Sequence, residues 1–123
     1  MVLPDHLHAI WTLPKHDADF ATRWMLIKSK FSRHMPKLEH RNASRIKKGE
    51  RGIWQRRYWE HMIRDEDDYA RHVDYIHFNP VKHGYVYRAS DWAYSSIHRY
   101  IATGVISHDW GWNGEVETSK YGE

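Results

Sequence analysis

The sequence predicts an α+β fold in a single domain, and three observations carry that prediction. Apolar and polar residues alternate over 6–13, and aromatic and β-branched residues crowd 54–63, as strands require. Between and after these segments, apolar residues recur at spacings of three and four, over 20–31 and again over 69–76, as amphipathic helices require. The length of 123 residues allows one modest core and hardly two.

The first strand, 6–13, is bounded by Pro4 and Pro14. Leu7, Ala9, Trp11 and Leu13 share one of its faces, and His6 and His8 point together to the other, because side chains repeat every two residues along a strand. Asp17 and Asp19 open a helix that runs to about His34, with Phe20, Trp24, Ile27 and Phe31 as its buried stripe. Arg23, Lys28, Lys30 and Arg33 lie off the stripe, and Pro36 stops the helix.

The formal net charge is only +3, but residues 36–57 hold eight Lys/Arg against Glu39 and Glu50, a local +6 on a body that otherwise sums to −3. Gly, Asn and Ser with little apolar periodicity make this a mobile loop. Its charge suits contact with a polyanion, and a merely solvated loop is the equal alternative. The second strand, 54–63, carries Tyr58, Trp59, Met62 and Ile63.

A second helix starts in the acidic run Asp65-Glu66-Asp67-Asp68, where carboxylates cap free N–H groups and suit the helix dipole. Tyr69, Val73 or His72, and Ile76 form its buried side, and Pro80 ends it at Asn79. Pro80 then begins a short helical turn that Gly84 closes. Ser95 or Ser96 caps a last short helix ending before Gly104. The chain beyond Val105 is Gly-containing and acidic, so the domain is expected over 1–110 and a tail over 111–123.

Absent residue types exclude several chemistries. No cysteine is present, which removes disulfide scaffolds, thiolate nucleophiles and Cys-based zinc sites. No apolar run approaches the ~18 residues of a membrane span. The start of the chain has neither a basic nor an apolar signal region, which makes the cytoplasm the default expectation. What stands out is 11 histidines and 15% aromatics.

His6-Leu7-His8 puts two imidazoles on one strand face, close enough to share a metal; an ordinary surface pair is the other reading. Tyr75 and Asn79, four apart, project from one face of the second helix. The Asn79 amide oxygen could complete a site begun by the histidines, with the Tyr75 phenol one turn away. Structurally, Tyr75 also reads as a core aromatic and Asn79 as the residue that ends a helix before proline. Lys82, His83, Arg56 and Arg57 supply cations for such a site. Dipole compensation by the first two and edge protection by the arginines are their structural alternatives.

Together these segments resemble a known family. Pro4-Asp5-His6-Leu7-His8-Ala9-Ile10-Trp11, Trp54-Gln55-Arg56-Arg57-Tyr58-Trp59-Glu60-His61 and Asp74-Tyr75-Ile76-His77-Phe78-Asn79-Pro80-Val81-Lys82-His83-Gly84 look like the REP-associated tyrosine transposases, single-tyrosine members of the HUH superfamily of single-stranded-DNA nucleases and transposases. Asp91-Trp92-Ala93-Tyr94-Ser95-Ser96 fits as well, so the resemblance runs from residue 3 to about 110. It implies His6 and His8 as metal ligands, Asn79 as the third ligand, Tyr75 as the nucleophile, and Mg²⁺ or Mn²⁺ as the cofactor. Arg56, Arg57, Lys82 and His83 are the implied DNA contacts. The implied activity is metal-dependent cleavage and strand transfer of single-stranded DNA at hairpin (REP-type) sequences through a 5′-phosphotyrosine.

The family carries a strand, a helix and a further strand ahead of the histidine strand, whereas here Met1 stands almost at that motif. The resemblance therefore implies a ferredoxin-like HUH domain lacking its first strand, first helix and second strand. On that basis the 123 residues are expected to be poorly stable and inactive alone, and direct pairing of the two retained strands would shift the histidine face relative to Tyr75. Two rival functions are a non-catalytic DNA-binding remnant of a transposase and a small His-rich metal-binding interaction domain.

Overall fold

In the computed structural model, which describes residues 1–112, the regular elements are helices: α1 (Phe20–His34), α2 (Ala43–Lys47), α3 (Glu66–Lys82) and α4 (Ile97–Ala102), with a 3-10 turn at Ala89–Asp91. The tail expected over 111–123 lies, from residue 113, outside the described residues. Among the described residues neither expected strand forms, and the only bridge pairs Val2 with Leu7. A strand exists only when a neighbour completes its hydrogen-bond ladder, and neither segment has one here. The ferredoxin-like sheet is therefore not seen in these residues. The described chain falls into two compact units: residues 1–10 with the residues from 62 onward, and residues 11–61.

The first unit begins with a tight turn. Leu3 N–H donates to the His6 carbonyl at 2.9 Å and His8 N–H to the Met1 carbonyl at 3.1 Å, with Pro4 and Asp5 at the bend. Val2 N–H to the Tyr94 carbonyl and Trp92 Nε1–H to the Val2 carbonyl, both 2.9 Å, fasten this hairpin to the body. Leu3, Val73, Phe78, Ala89 and Ile97 form the apolar core. Each such large side chain contributes about 1.5–3 kcal/mol relative to an exposed one. Gly111 takes a φ of +75°, in the left-handed region that favours glycine, and a Cβ there would touch Ala89 and Phe78 at 3.4 Å.

α3 supports the site. Asp65 caps it by accepting from Asp68 N–H at 2.8 Å, as the acidic run predicts. Its buried side is broader than expected. His72, Val73, Tyr75, His77, Phe78, Asn79 and Pro80 are all buried, whereas Tyr69 is exposed and Ile76 half-buried. Pro80 does not end the helix, which continues to Lys82. Proline removes one N–H donor, and surrounding packing compensates near a helix end. Termination comes at Gly84 (φ +73°), where Gly84 N–H reaches the Val81 carbonyl and Tyr85 N–H the Pro80 carbonyl, each at 2.9 Å. Asn79 thus sits inside the helix and not at its end. α4 starts where expected, with Ser95 Oγ accepting from Ile97 N–H at 3.1 Å.

In the second unit, Asp19 caps α1 through Thr22 N–H at 3.0 Å, and Asp17 holds Arg23 by two contacts of 2.8 and 3.3 Å. The α1 stripe meets the segment that was expected to be a strand. Phe20 and Trp24 face Tyr58 at 6.4 and 6.1 Å, Phe31 faces Trp54 at 5.3 Å, and Trp11 packs on Trp24 at 4.7 Å. That segment's carbonyls go to side chains: Arg45 donates to Trp54 O and Lys28 to Gln55 O.

The basic stretch is likewise not a bare loop. It holds α2, capped by Asn42, and Arg51 donates to the Met35 and Pro36 carbonyls at 3.2 and 2.9 Å, to the Ser32 carbonyl and to Glu39. Arg51 of this stretch closes the end of α1, because unsatisfied helix carbonyls attract forked cations.

Candidate active site

The hairpin and α3 bring four of the sequence-predicted residues together within the first unit. The turn at Pro4–Asp5 sets His6 and His8 side by side, their ring centroids 5.1 Å apart and nearly perpendicular. The same-face geometry expected of a strand is kept by the short arm around Leu7, which bridges to Val2. On α3, Tyr75 and Asn79 lie one helical turn apart on one face. His6 Nε2 lies 3.3 Å from Asn79 Oδ1, and the His8 ring meets Tyr75 edge-on at 5.7 Å. The two expected strands do not pair, and the histidines meet Tyr75.

Burial divides the site into a fixed floor and an open top. Asn79 is wholly buried and Tyr75 5% exposed, while His6 keeps 28% of its side chain in solvent. Packing therefore fixes the Tyr75 and Asn79 rotamers.

Asp5, which the sequence reading passed over, accepts a hydrogen bond from His6 Nδ1 at 2.7 Å. That bond leads the effects that hold the Asp5 carboxyl below the usual carboxylate range, so it stays anionic. Nε2 of the same ring lies against the Asn79 amide oxygen, so a carboxylate and an amide hold the imidazole from both sides. His6 Nε2 and Asn79 Oδ1, 3.3 Å apart, are close enough for both to reach one divalent cation. Two imidazoles and an amide oxygen are nitrogen and oxygen donors of the kind that bind divalent cations.

Lys82 also touches the site. Its Nζ lies 3.5 Å from the Tyr75 hydroxyl and 5.0 Å from the ring centre. Positions 75, 79 and 82, at spacings of four and three, share one helix face, which places Lys82, read from the sequence as a cation for this site, against the phenol. His83 lies beside His6, ring centroids 5.2 Å apart. Arg56 and Arg57 belong to the second unit, where Arg56 donates to Glu50 at 2.8 Å and to Ser44 at 3.1 Å, and Arg57 is exposed.

Two buried histidines support α3 from within. His77, 1% exposed, bonds Ser96 Oγ at 2.8 Å, and burial lowers its imidazole pKa from 6.5 to about 4, so it stays neutral. His72 Nδ1 lies 2.8 Å from the Asp68 carbonyl and 3.1 Å from its carboxylate.

No family model matches the chain. It is similar to the REP-associated tyrosine transposase of Escherichia coli strain K12, at 46% identity over 123 residues, covering all of this chain and 66% of the relative. A Haemophilus influenzae (strain KW20/Rd) protein named for the same family is 48% identical over 117 residues, covering 94% of this chain and 66% of its own. The chain thus spans 66% of the length of these curated relatives. Among solved structures, that of a REP-associated tyrosine transposase bound to a REP hairpin is 44% identical with a TM-score of 0.68. It covers 92% of this chain and 59% of its own length.

Proposed function

The chain belongs to the REP-associated tyrosine transposases, and from that footing we propose that it binds hairpin-bearing single-stranded DNA and cuts it through Tyr75. The observation that carries this reading is the meeting of the two-histidine hairpin with one face of α3 that bears Tyr75, Asn79 and Lys82. A nucleophilic hydroxyl, a cation against that hydroxyl and three metal-type donors converge there. A solved relative bound to a REP hairpin supports the choice of DNA as substrate.

In this mechanism Tyr75 Oη attacks the scissile phosphorus. One P–O bond forms to the tyrosine and one breaks to the 3′ oxygen, which takes up the proton that the phenol loses. The products are a 5′-phosphotyrosine and a free 3′-hydroxyl, so bond energy is kept for rejoining and no nucleotide cofactor is consumed. Lys82 orients the phenol and offsets charge that develops on its oxygen. His6, His8 and Asn79 would hold Mg²⁺ or Mn²⁺, with Asp5 fixing the His6 ring. The chemistry such a cation supplies when bound is neutralisation of the phosphate oxygens. Burial of Tyr75 and Asn79 excludes bulk water beneath the reacting atoms. Lys82, His83, Arg57 and, once released from Glu50, Arg56 contact the DNA backbone.

The test is incubation of the chain with end-labelled hairpin oligonucleotide and Mg²⁺, followed by a denaturing gel. The reading expects a shifted covalent band that is lost in Tyr75→Phe and in EDTA. A band that persists in Tyr75→Phe would assign the nucleophile elsewhere. Hairpin binding with no band at all would leave a DNA-binding remnant.

A further inference from the structure

A row of aromatic rings leaves the candidate site and runs to the surface of the first unit. The His83 ring, 5.2 Å from His6, is followed by Tyr85 at 6.1 Å and Trp92 at a further 5.4 Å, each of these last two pairs tilted by only 31°. Tyr94 meets Trp92 edge-on at 6.3 Å. Core packing does not account for the row, because Tyr85 is 43% and Tyr94 70% exposed. Yet its backbone and central ring are anchored. Trp92 Nε1–H donates to the Val2 carbonyl, the Trp92 carbonyl lies 2.8 Å from His98 Nε2, and the Tyr94 carbonyl accepts from Val2 N–H. The hairpin that carries His6 and His8 is thereby tied to residues 92 and 94.

We propose that Tyr85, Trp92 and Tyr94 form a stacking platform for the unpaired bases that flank the phosphate held at His6, His8 and Tyr75. The inference rests on the DNA reading above and adds where the bases lie. Exposed, anchored rings suit nucleobases, since every base presents a flat π face and stacking tolerates any sequence. The row also starts beside Lys82 and His83, cations that neutralise the backbone carrying those bases. An apolar protein partner would instead favour a charge-depleted centre.

The experiment compares two labelled oligonucleotides, a hairpin with a single-stranded flank and the same hairpin with an abasic flank. Tyr85→Leu and Tyr94→Leu keep apolar volume and remove the ring. Each is expected to weaken binding of the base-bearing flank by roughly five-fold to a hundred-fold, as stacking losses do. Each should leave the salt slope unchanged and leave the abasic flank unaffected. The unaltered chain should itself lose affinity when the flank is made abasic, which tests the platform independently of any variant's folding. Equal affinity of the unaltered chain for both flanks, or equal losses on both in the variants, would overturn the platform. Binding of neither oligonucleotide by the unaltered chain would overturn the DNA reading first and the platform with it.

Discussion

Acidification should loosen the helix that carries Tyr75 and Asn79, through His77. This imidazole is 1% exposed, bonds Ser96 Oγ at 2.8 Å, and packs edge-on against Tyr100 at 5.0 Å and Trp110 at 6.4 Å. Burial lowers its pKa from 6.5 to about 4, and the positive groups facing it, the Met1 ammonium, Arg99 and His98, push in the same direction. The fold thus keeps the ring neutral, while the unfolded chain protonates it near 6.5. Its contribution to stability is complete above pH 6.5 and is lost as pH falls toward about 4. At about 1.36 kcal/mol per pH unit, the upper bound is about 3.4 kcal/mol, and partial solvent screening brings the expected figure to about 2 kcal/mol. The assay is urea unfolding of the chain and of His77→Gln at pH 7.5, 5.5 and 4. The difference between the two proteins cancels the other titrating groups. The variant should lose about 2 kcal/mol less than the parent between pH 7.5 and 4. Parallel pH dependences would refute the assignment of His77 as a buried neutral support.

Three further outcomes follow from the geometry. His6→Ala and His8→Ala should each abolish Mg²⁺- or Mn²⁺-dependent cleavage, and Asn79→Ala should raise the metal requirement less, because water replaces an amide oxygen more readily than a positioned imidazole; a metal titration of cleavage checks all three. Ile97→Ala, at a wholly buried core position, should cost about 2–5 kcal/mol in urea unfolding with DNA contacts untouched. In salt titrations of hairpin binding, Arg57→Ala should flatten the log–log slope by about 0.7, the value of one phosphate contact on a single strand. Arg56→Ala should flatten it less, because Glu50 and Ser44 already hold that guanidinium.

The helices were legible because their signals are local. Asp19, Asp65 and Ser95 accept N–H donors two or three residues away, so the starts of α1, α3 and α4 follow from neighbours in sequence alone. Strands were misread because alternation fixes which way side chains point, not whether a second strand is there to pair with; 54–58 lies along α1 through Trp54 and Tyr58 instead. Pro80 was misread for a related reason. Proline biases the local chain, but burial of Phe78, Asn79 and Pro80 outweighs that bias, and Gly84 sets the true end. His6 and His8 survived the loss of their strand because the short arm around Leu7, bridged to Val2, keeps residues two apart side by side. Asp5 was passed over, although it is the immediate neighbour of His6.

The most direct test of the account is to map the covalent product. After reaction with hairpin DNA and Mg²⁺, nuclease and protease digestion should leave one peptide, spanning Tyr75, that carries a nucleotide on the phenol oxygen. A nucleotide on another residue, or an unmodified Tyr75 peptide under conditions in which the chain binds the hairpin, would contradict the claim that this site cuts DNA through Tyr75.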